Sequence, residues 1–143
     1  MTLPARRVPA ALLQLDAIAG RLDGRAALDE FARYLLAEFP ELSGISFYRV
    51  DPGPPAFAGG TPVEGRAEGE LPPAADEAAR LGRRVDDPAT GETAVPVRDA
   101  ERTVGVLLVR PARLPLDLTD GRFLSEVARR SAASIDGAPK RLL

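Results

Sequence analysis

Glu92 to Arg110 reads E-T-A-V-P-V-R-D-A-E-R-T-V-G-V-L-L-V-R, two apolar arms around the polar tip Asp99-Ala100-Glu101-Arg102. Valine, threonine and leucine over strand length on each side of a short polar turn form the pattern of an antiparallel β-hairpin. The second arm is apolar at consecutive positions from Val104 to Val109, apart from Gly105. Neither of its faces can be left to water, so it is expected in the middle of a sheet with helices on at least one side. Pro96 lies within the first arm, where proline removes a ladder donor, and a local irregularity is expected there.

Before the hairpin, Gly44-Ile45-Ser46-Phe47-Tyr48-Arg49-Val50 reads as a strand, closed by Asp51-Pro52-Gly53-Pro54-Pro55, through which no strand can continue. Ala56-Phe57-Ala58 can pair back as a short second strand, and Gly59 to Pro73 lacks any period and reads as a loop. Pro72-Pro73 opens a short helix through Ala74, Ala78 and Leu81, with Gly82 as its C-terminal cap. Arg84-Val85 reads as a brief edge strand. Two helices precede all of this. Val8, Leu12, Leu15, Ala19 and Leu22 recur at intervals of three and four, and so do Leu28, Phe31, Ala32, Leu35 and Phe39 behind a predicted N-cap at Asp23. After Pro111, Thr119 is the expected cap of a closing helix with Leu124, Val127, Ala128, Ser131 and Ile135 on one face. The expected organisation is one domain over residues 1–143, with its core at about 8–136.

Composition narrows the function classes. Over 143 residues, 19 basic and 21 acidic side chains leave a charge of −2, which argues against nonspecific nucleic-acid binding. Histidine and cysteine are both absent, which removes Ser-His-Asp and Cys-His triads, thiol redox chemistry and the usual zinc sites. The expectation on these grounds is no catalytic activity. No stretch approaches the roughly 20 apolar residues that span a bilayer, and the Val8–Leu13 run is cut by Gln14 and Asp16 before it reaches signal-peptide length. A cytoplasmic location and no membrane partner are expected. The opening methionine and the end soon after the last helix fit a free-standing protein, and a segment of a longer sensor would read the same.

The order helix, helix, strand, strand, loop with a small helix, hairpin, closing helix resembles the GAF domain, a sensory relative of the PAS fold. Ala94-Val95-Pro96-Val97 and Val104-Gly105-Val106-Leu107 are similar to the family's "A-V-P-L … V-I-G-V-L" hairpin. Leu118-Thr119-Asp120 through Ile135 is similar to its closing "F-T-x-x-D … A-x-x-A-x-A-I" helix. The resemblance implies an α+β fold: an antiparallel sheet of five or six strands, the N- and C-terminal helices packed on one face and the second helix beside or near them. It implies a ligand site on the other face, beneath Gly59–Gly91. Here that segment offers only Val63, Leu71, Ala78 and Leu81 to wall a cavity, so a shallow or occluded pocket is expected. Family members that attach bilins, and those that reduce free methionine sulfoxide, use cysteines, so the resemblance carries neither activity to this chain. The family's cyclic-nucleotide motif needs asparagine and lysine; the chain has no asparagine, and its only lysine is Lys140.

The candidate ligand-binding residues are Phe47 and Phe57 as walls, Thr93 and Val95 as floor, Leu81 from the small helix and Arg84 as an anion contact at the rim. Each has a plainer reading, aromatic core packing for the phenylalanines and a screened pair with Asp86 for Arg84. Asp86, Asp87 and Glu92 match no known cation-binding loop, and no metal is expected. The cofactor is unknown. The expected function is a regulatory or sensory domain that binds a small molecule or a signalling partner. The alternative is a ligand-free assembly module. In both, a homodimer through the terminal helices is expected, because Leu13 lies off the main stripe of the first helix and Ala128, Ser131, Ala132 and Ala133 permit close helix approach; the resemblance implies the same surface.

Overall fold

In the computed structural model, which describes residues 7–51, 53–62, 70–112 and 121–136, five strands form one antiparallel sheet. They are β1 (Leu42–Arg49), β2 (Ala56–Gly60), β3 (Val85–Asp86), β4 (Thr93–Asp99) and β5 (Arg102–Pro111), in spatial order β2-β1-β5-β4-β3. The hairpin arm read as central is central: β5 is bonded to β1 on one side and β4 on the other. Its unbroken apolar run follows from that position, because Leu107 and Val109 enter one core cluster while Val106 and Leu108 enter another across the sheet. Gly105 has no room for a side chain, since a Cβ there would overlap the carbonyl oxygen of Tyr48 and press on Ile135.

The expected irregularity in β4 falls one step past Pro96. Pro96 itself pairs with Val106, and the register slips between Val97 and Arg98. The proline is tolerated because β3 bonds only to Thr93 and Ala94. From Val95 onward the outer edge of β4 has no strand beside it among the described residues, so no bond to β3 is forfeited. On the opposite edge β2 is covered by a helix, and Asp29 accepts a hydrogen bond from the Gly60 N–H at 2.8 Å.

Four helices surround the sheet: α1 (Val8–Arg21), α2 (Gly24–Glu38), α3 (Pro73–Leu81) and α4 (Gly121–Asp136). α2 and α4 lie on one face, and α1 packs against both of them on that side. The core between them holds Leu15, Ile18, Leu28, Phe31, Leu35, Phe39, Phe47, Leu107 and Leu124, all buried. Phe31 meets Phe47 with ring centroids 6.4 Å apart, and Phe39 meets Phe123 at 5.4 Å. Asp23 occupies the N-cap of α2 in extended conformation, yet its side chain makes no capping bond. Thr119 and Val63 lie outside the described residues.

α3 covers the other face. Pro73 opens it, and Gly82 ends it at φ 69°, a left-handed conformation that a β-carbon disfavours, with its N–H bonded to the Ala78 carbonyl at 2.9 Å. Its inward residues are Ala74, Ala75 and Ala78, which rest against Tyr48, Ala94, Val106 and Leu108. No described helix is long and apolar enough to cross a membrane.

Candidate functional site: an arginine-rimmed groove beside β4

The unpaired edge of β4 is also where the main concavity lies. α3 and α4 sit on opposite faces of the sheet and β3 is only two residues long, so no described element fills the space beside Val95 and Pro96. What α4 and the hairpin tip present there is small: Ser125, Ala128, Ala132 and Ala100. The result is an open groove of about 670 Å³ with an apolar floor of Val95, Pro96, Ala128 and Ala132.

Four arginines line it, Arg83 and Arg84 from the α3–β3 link, Arg98 from β4 and Arg129 from α4, against one carboxylate in the lining, Asp99. Three of them are held by described partners. Arg84 pairs with Asp86 at 3.1 Å. Arg98, just past the register slip, donates to the backbone carbonyls of Gly82 at 3.2 Å and Glu101 at 3.4 Å, which ties the end of α3 to the hairpin tip. Arg129 pairs with Glu126 at 2.6 Å, and Glu126 also accepts from Arg130 at 2.6 Å. Those hydrogen bonds, from Arg129 first and then Arg130, hold the Glu126 carboxyl down at about 2 from an ordinary 4.5. Arg130 reaches Asp16 at 2.9 Å and so links α4 to α1. Ala100, at φ 59°, is the one non-glycine among the described residues with positive φ, and it lines this groove. Strained backbone of this kind persists where surrounding structure enforces it.

The six residues singled out from sequence are not gathered in one place. Phe47 and Val95 point to the α2/α4 side of the sheet, where Phe47 is buried in the core and Val95 meets the groove. Arg84 lines the same groove. Phe57 lies at the β2 edge, its ring edge-on to Tyr48 with centroids 5.8 Å apart. Thr93 is buried and donates to Asp86 at 2.7 Å. Leu81 is exposed at the end of α3. Arg98 and Arg129 were not joined to Arg84 by sequence reading, because they approach it only when β4 and α4 pack. Glu92 is buried and pairs with Arg110 at 3.0 Å, while Asp86 bonds Thr93 and Arg84 and Asp87 accepts from the Ala89 N–H at 2.9 Å. These three carboxylates therefore face separate partners, and no group of three metal-ligating side chains exists among the described residues.

An open five-stranded antiparallel sheet, with terminal helices on one face and a short helix on the other, is shared with solved structures. No protein-family model and no curated protein matches the sequence. The GAF domain of a phosphoenolpyruvate-protein phosphotransferase from Coxiella burnetii superposes with a TM-score of 0.74 at 15% identity, over 94% of this chain and 95% of that one. The corresponding domain from Acinetobacter gives 0.73 at 14%, over 92% and 94%. A free methionine-R-sulfoxide reductase from Neisseria meningitidis, solved with its substrate, gives 0.72 at 22%, over 92% of each chain. This chain has the GAF fold, as its hairpin and closing helix led us to expect. The expectation of no catalytic activity is corrected. Several structures of this fold are free methionine-R-sulfoxide reductases, so the architecture houses enzymes as well as sensors, and membership in it does not license a non-enzyme reading. The missing histidine and cysteine restrict which side chains are available for chemistry; they do not exclude chemistry carried by carboxylates, hydroxyls and arginines.

Proposed function

We propose that this chain is a cytoplasmic regulatory or sensory domain that binds a small anionic molecule with an apolar body in the groove between β4 and α4. The observation that carries the reading is the pairing of four guanidinium groups at the rim with a floor of Val95, Pro96, Ala128 and Ala132. Arginine suits carboxylate and phosphate through its planar fork of donors, and an apolar floor takes a ring or chain. The face under α3, where the family resemblance puts a ligand, is packed by alanines directly on the sheet. GAF-fold neighbours from phosphotransferases support a regulatory role in general terms. A ligand here signals by binding two arrangements of α4 with different affinity. Arg129 is adjacent to Arg130, whose bond to Asp16 joins α4 to α1, so a pull on one is felt by the helix pair. The test is a thermal-shift screen of nucleotides and of aromatic and aliphatic phosphates and carboxylates. A hit whose stabilisation falls at least tenfold in apparent affinity in the Arg84→Gln/Arg129→Gln double variant supports the reading. No stabilisation by any anion overturns it.

A second reading rests on a separate observation. Leu13 is 71% exposed on α1, and Ala10, Ala17 and Gly20 share its outer side. We propose that this stripe seats a second copy of the chain, giving a homodimer through the terminal helices. If it instead docks a signalling protein, the chain is an assembly module. Light scattering should show a dimer that Leu13→Glu converts to a monomer; an unaltered monomer in the unsubstituted protein defeats the dimer.

A further inference from the structure

A second, smaller cavity of about 230 Å³ lies on the far side of the molecule from the groove, lined by Gly24, Arg25, Arg49, Ala56–Ala58, Ser134 and Ile135. It sits where the start of α2, the ends of β1 and α4, and the edge strand β2 converge. Two of its lining residues are arginines and none is a carboxylate. The Nε of Arg49 is buried without a hydrogen-bond partner, and Arg49 has no ion pair among the described residues. A guanidinium taken partly out of water with no counter-charge is costly unless something pairs with it.

Of the acidic groups on the neighbouring elements, Asp29 on α2 accepts from the Gly60 N–H at 2.8 Å and pairs at 3.6 Å with the Nε of Arg25, on the rim of the cavity; none among the described residues reaches Arg49. Asp51, just after β1, and Asp136, at the end of α4, both pair with Arg102, at 3.0 and 3.2 Å. Asp23 is exposed and does not line the cavity. Arg25 lies over the Phe57 ring, its guanidinium carbon 5.3 Å from the centroid and its Nε paired with Asp29, so its two terminal nitrogens are the donors it can offer an anion. Ser134 adds a hydroxyl from a buried position on α4.

We propose that this cavity binds a small oxyanion, a phosphate or carboxylate group, between Arg25 and Arg49, with Ser134 as a further donor. The cavity takes a small oxyanion together with water and is smaller than the apolar-floored groove. An anion here bridges the start of α2 to the end of α4, the helix that also walls the groove.

The probes are inorganic phosphate and acetate, each compared with sodium chloride at equal ionic strength. At about ten times its dissociation constant, a bound anion should raise the melting temperature by roughly 4 °C. Arg49→Met should abolish that shift while melting at or above the unsubstituted protein in anion-free buffer, because it removes a partly buried cation whose Nε has no partner. A purely structural role for Arg49 predicts the opposite, a lower melting point with or without anion. Arg25→Gln, at an exposed position, should weaken the shift at least threefold in apparent affinity. Response to phosphate alone assigns a phosphoryl group, and response to both assigns oxyanions broadly. No shift with either probe, or a shift retained in Arg49→Met, overturns the proposal. All of these shifts are read in the Arg84→Gln/Arg129→Gln protein, so that the groove's weakened arginine rim does not dominate the response, and failure of the groove and failure of this site are separable.

Discussion

The two faces of the sheet use small residues to opposite ends. On the α2/α4 face, Phe31, Phe39, Phe47, Leu35 and Leu124 hold the helices off the sheet at full side-chain thickness. Where α4 then turns Ser125, Ala128 and Ala132 toward the edge of β4, the helix cannot sink to close the space, and a groove remains. On the other face α3 brings only Ala74, Ala75 and Ala78 inward, with no large neighbour on its own inner side, so it settles onto Tyr48, Val106 and Leu108 and the space closes. Alanine opens a cavity beside a helix that is propped up and removes one beneath a helix that is not. The difference is why we propose recognition at the β4 edge rather than under α3.

The comparison breaks most easily at the prop. Phe47→Ala should cost about 3–5 kcal/mol in urea denaturation, through lost burial and the void left among Phe31 and Leu107. A cost below about 1 kcal/mol would mean that α2 and α4 can sink, and that the groove is not held open by the core. Ala75→Leu tests the other face. It should cost about 1–3 kcal/mol by forcing α3 away from the sheet, with faster hydrogen exchange confined to α3. A neutral outcome would reveal spare room under α3 and revive that face as a ligand site.

Smaller effects sharpen the groove itself. Ala100→Gly should stabilise the protein by about 0.5–1 kcal/mol, since glycine takes the left-handed conformation at φ 59° without a β-carbon clash. Destabilisation would show that the Ala100 methyl packs productively on the floor. The smallest effect is on pH dependence. Glu126 titrates near 2 when folded against an ordinary 4.5, so its contribution is complete above pH 4.5 and is lost as the pH falls toward 2. The urea midpoint of Glu126→Gln should therefore lack part of the decline seen between pH 4.5 and 2 in the unsubstituted protein. Parallel declines would show that Arg129 and Arg130 do not hold this carboxylate in solution.

Most of the architecture is legible in the chain because it is written locally. The consecutive apolar run of Val104–Val109 demands a central strand, Pro72-Pro73 and Gly82 bracket α3, and the three-and-four spacing of Leu28, Phe31 and Leu35 marks the buried face of α2. The extent of β2 is not legible: Gly59 and Gly60 read as loop, yet they pair with Phe47 and Ser46, because α2 comes so near that only glycine fits beside Leu28. The sites are less legible still. Arg84 and Val95 do share the groove, but Arg98 and Arg129 reach it through a register slip and a helix packing that leave no local signature. Arg49 reads as an ordinary strand-end cation; only the assembled fold leaves its Nε buried with nothing to accept its proton.

The central proposal is that this chain receives its ligand beside β4 and not beneath α3. Backbone amide chemical-shift mapping of the 15N-labelled protein with 1-naphthyl phosphate, an anion carried on an apolar ring, tests it most directly. The account predicts saturable shifts centred on Arg83–Arg84, Val95–Ala100 and Ser125–Ala132. Shifts centred on Ala74–Ala78 and Tyr48, or none at millimolar probe, would contradict it.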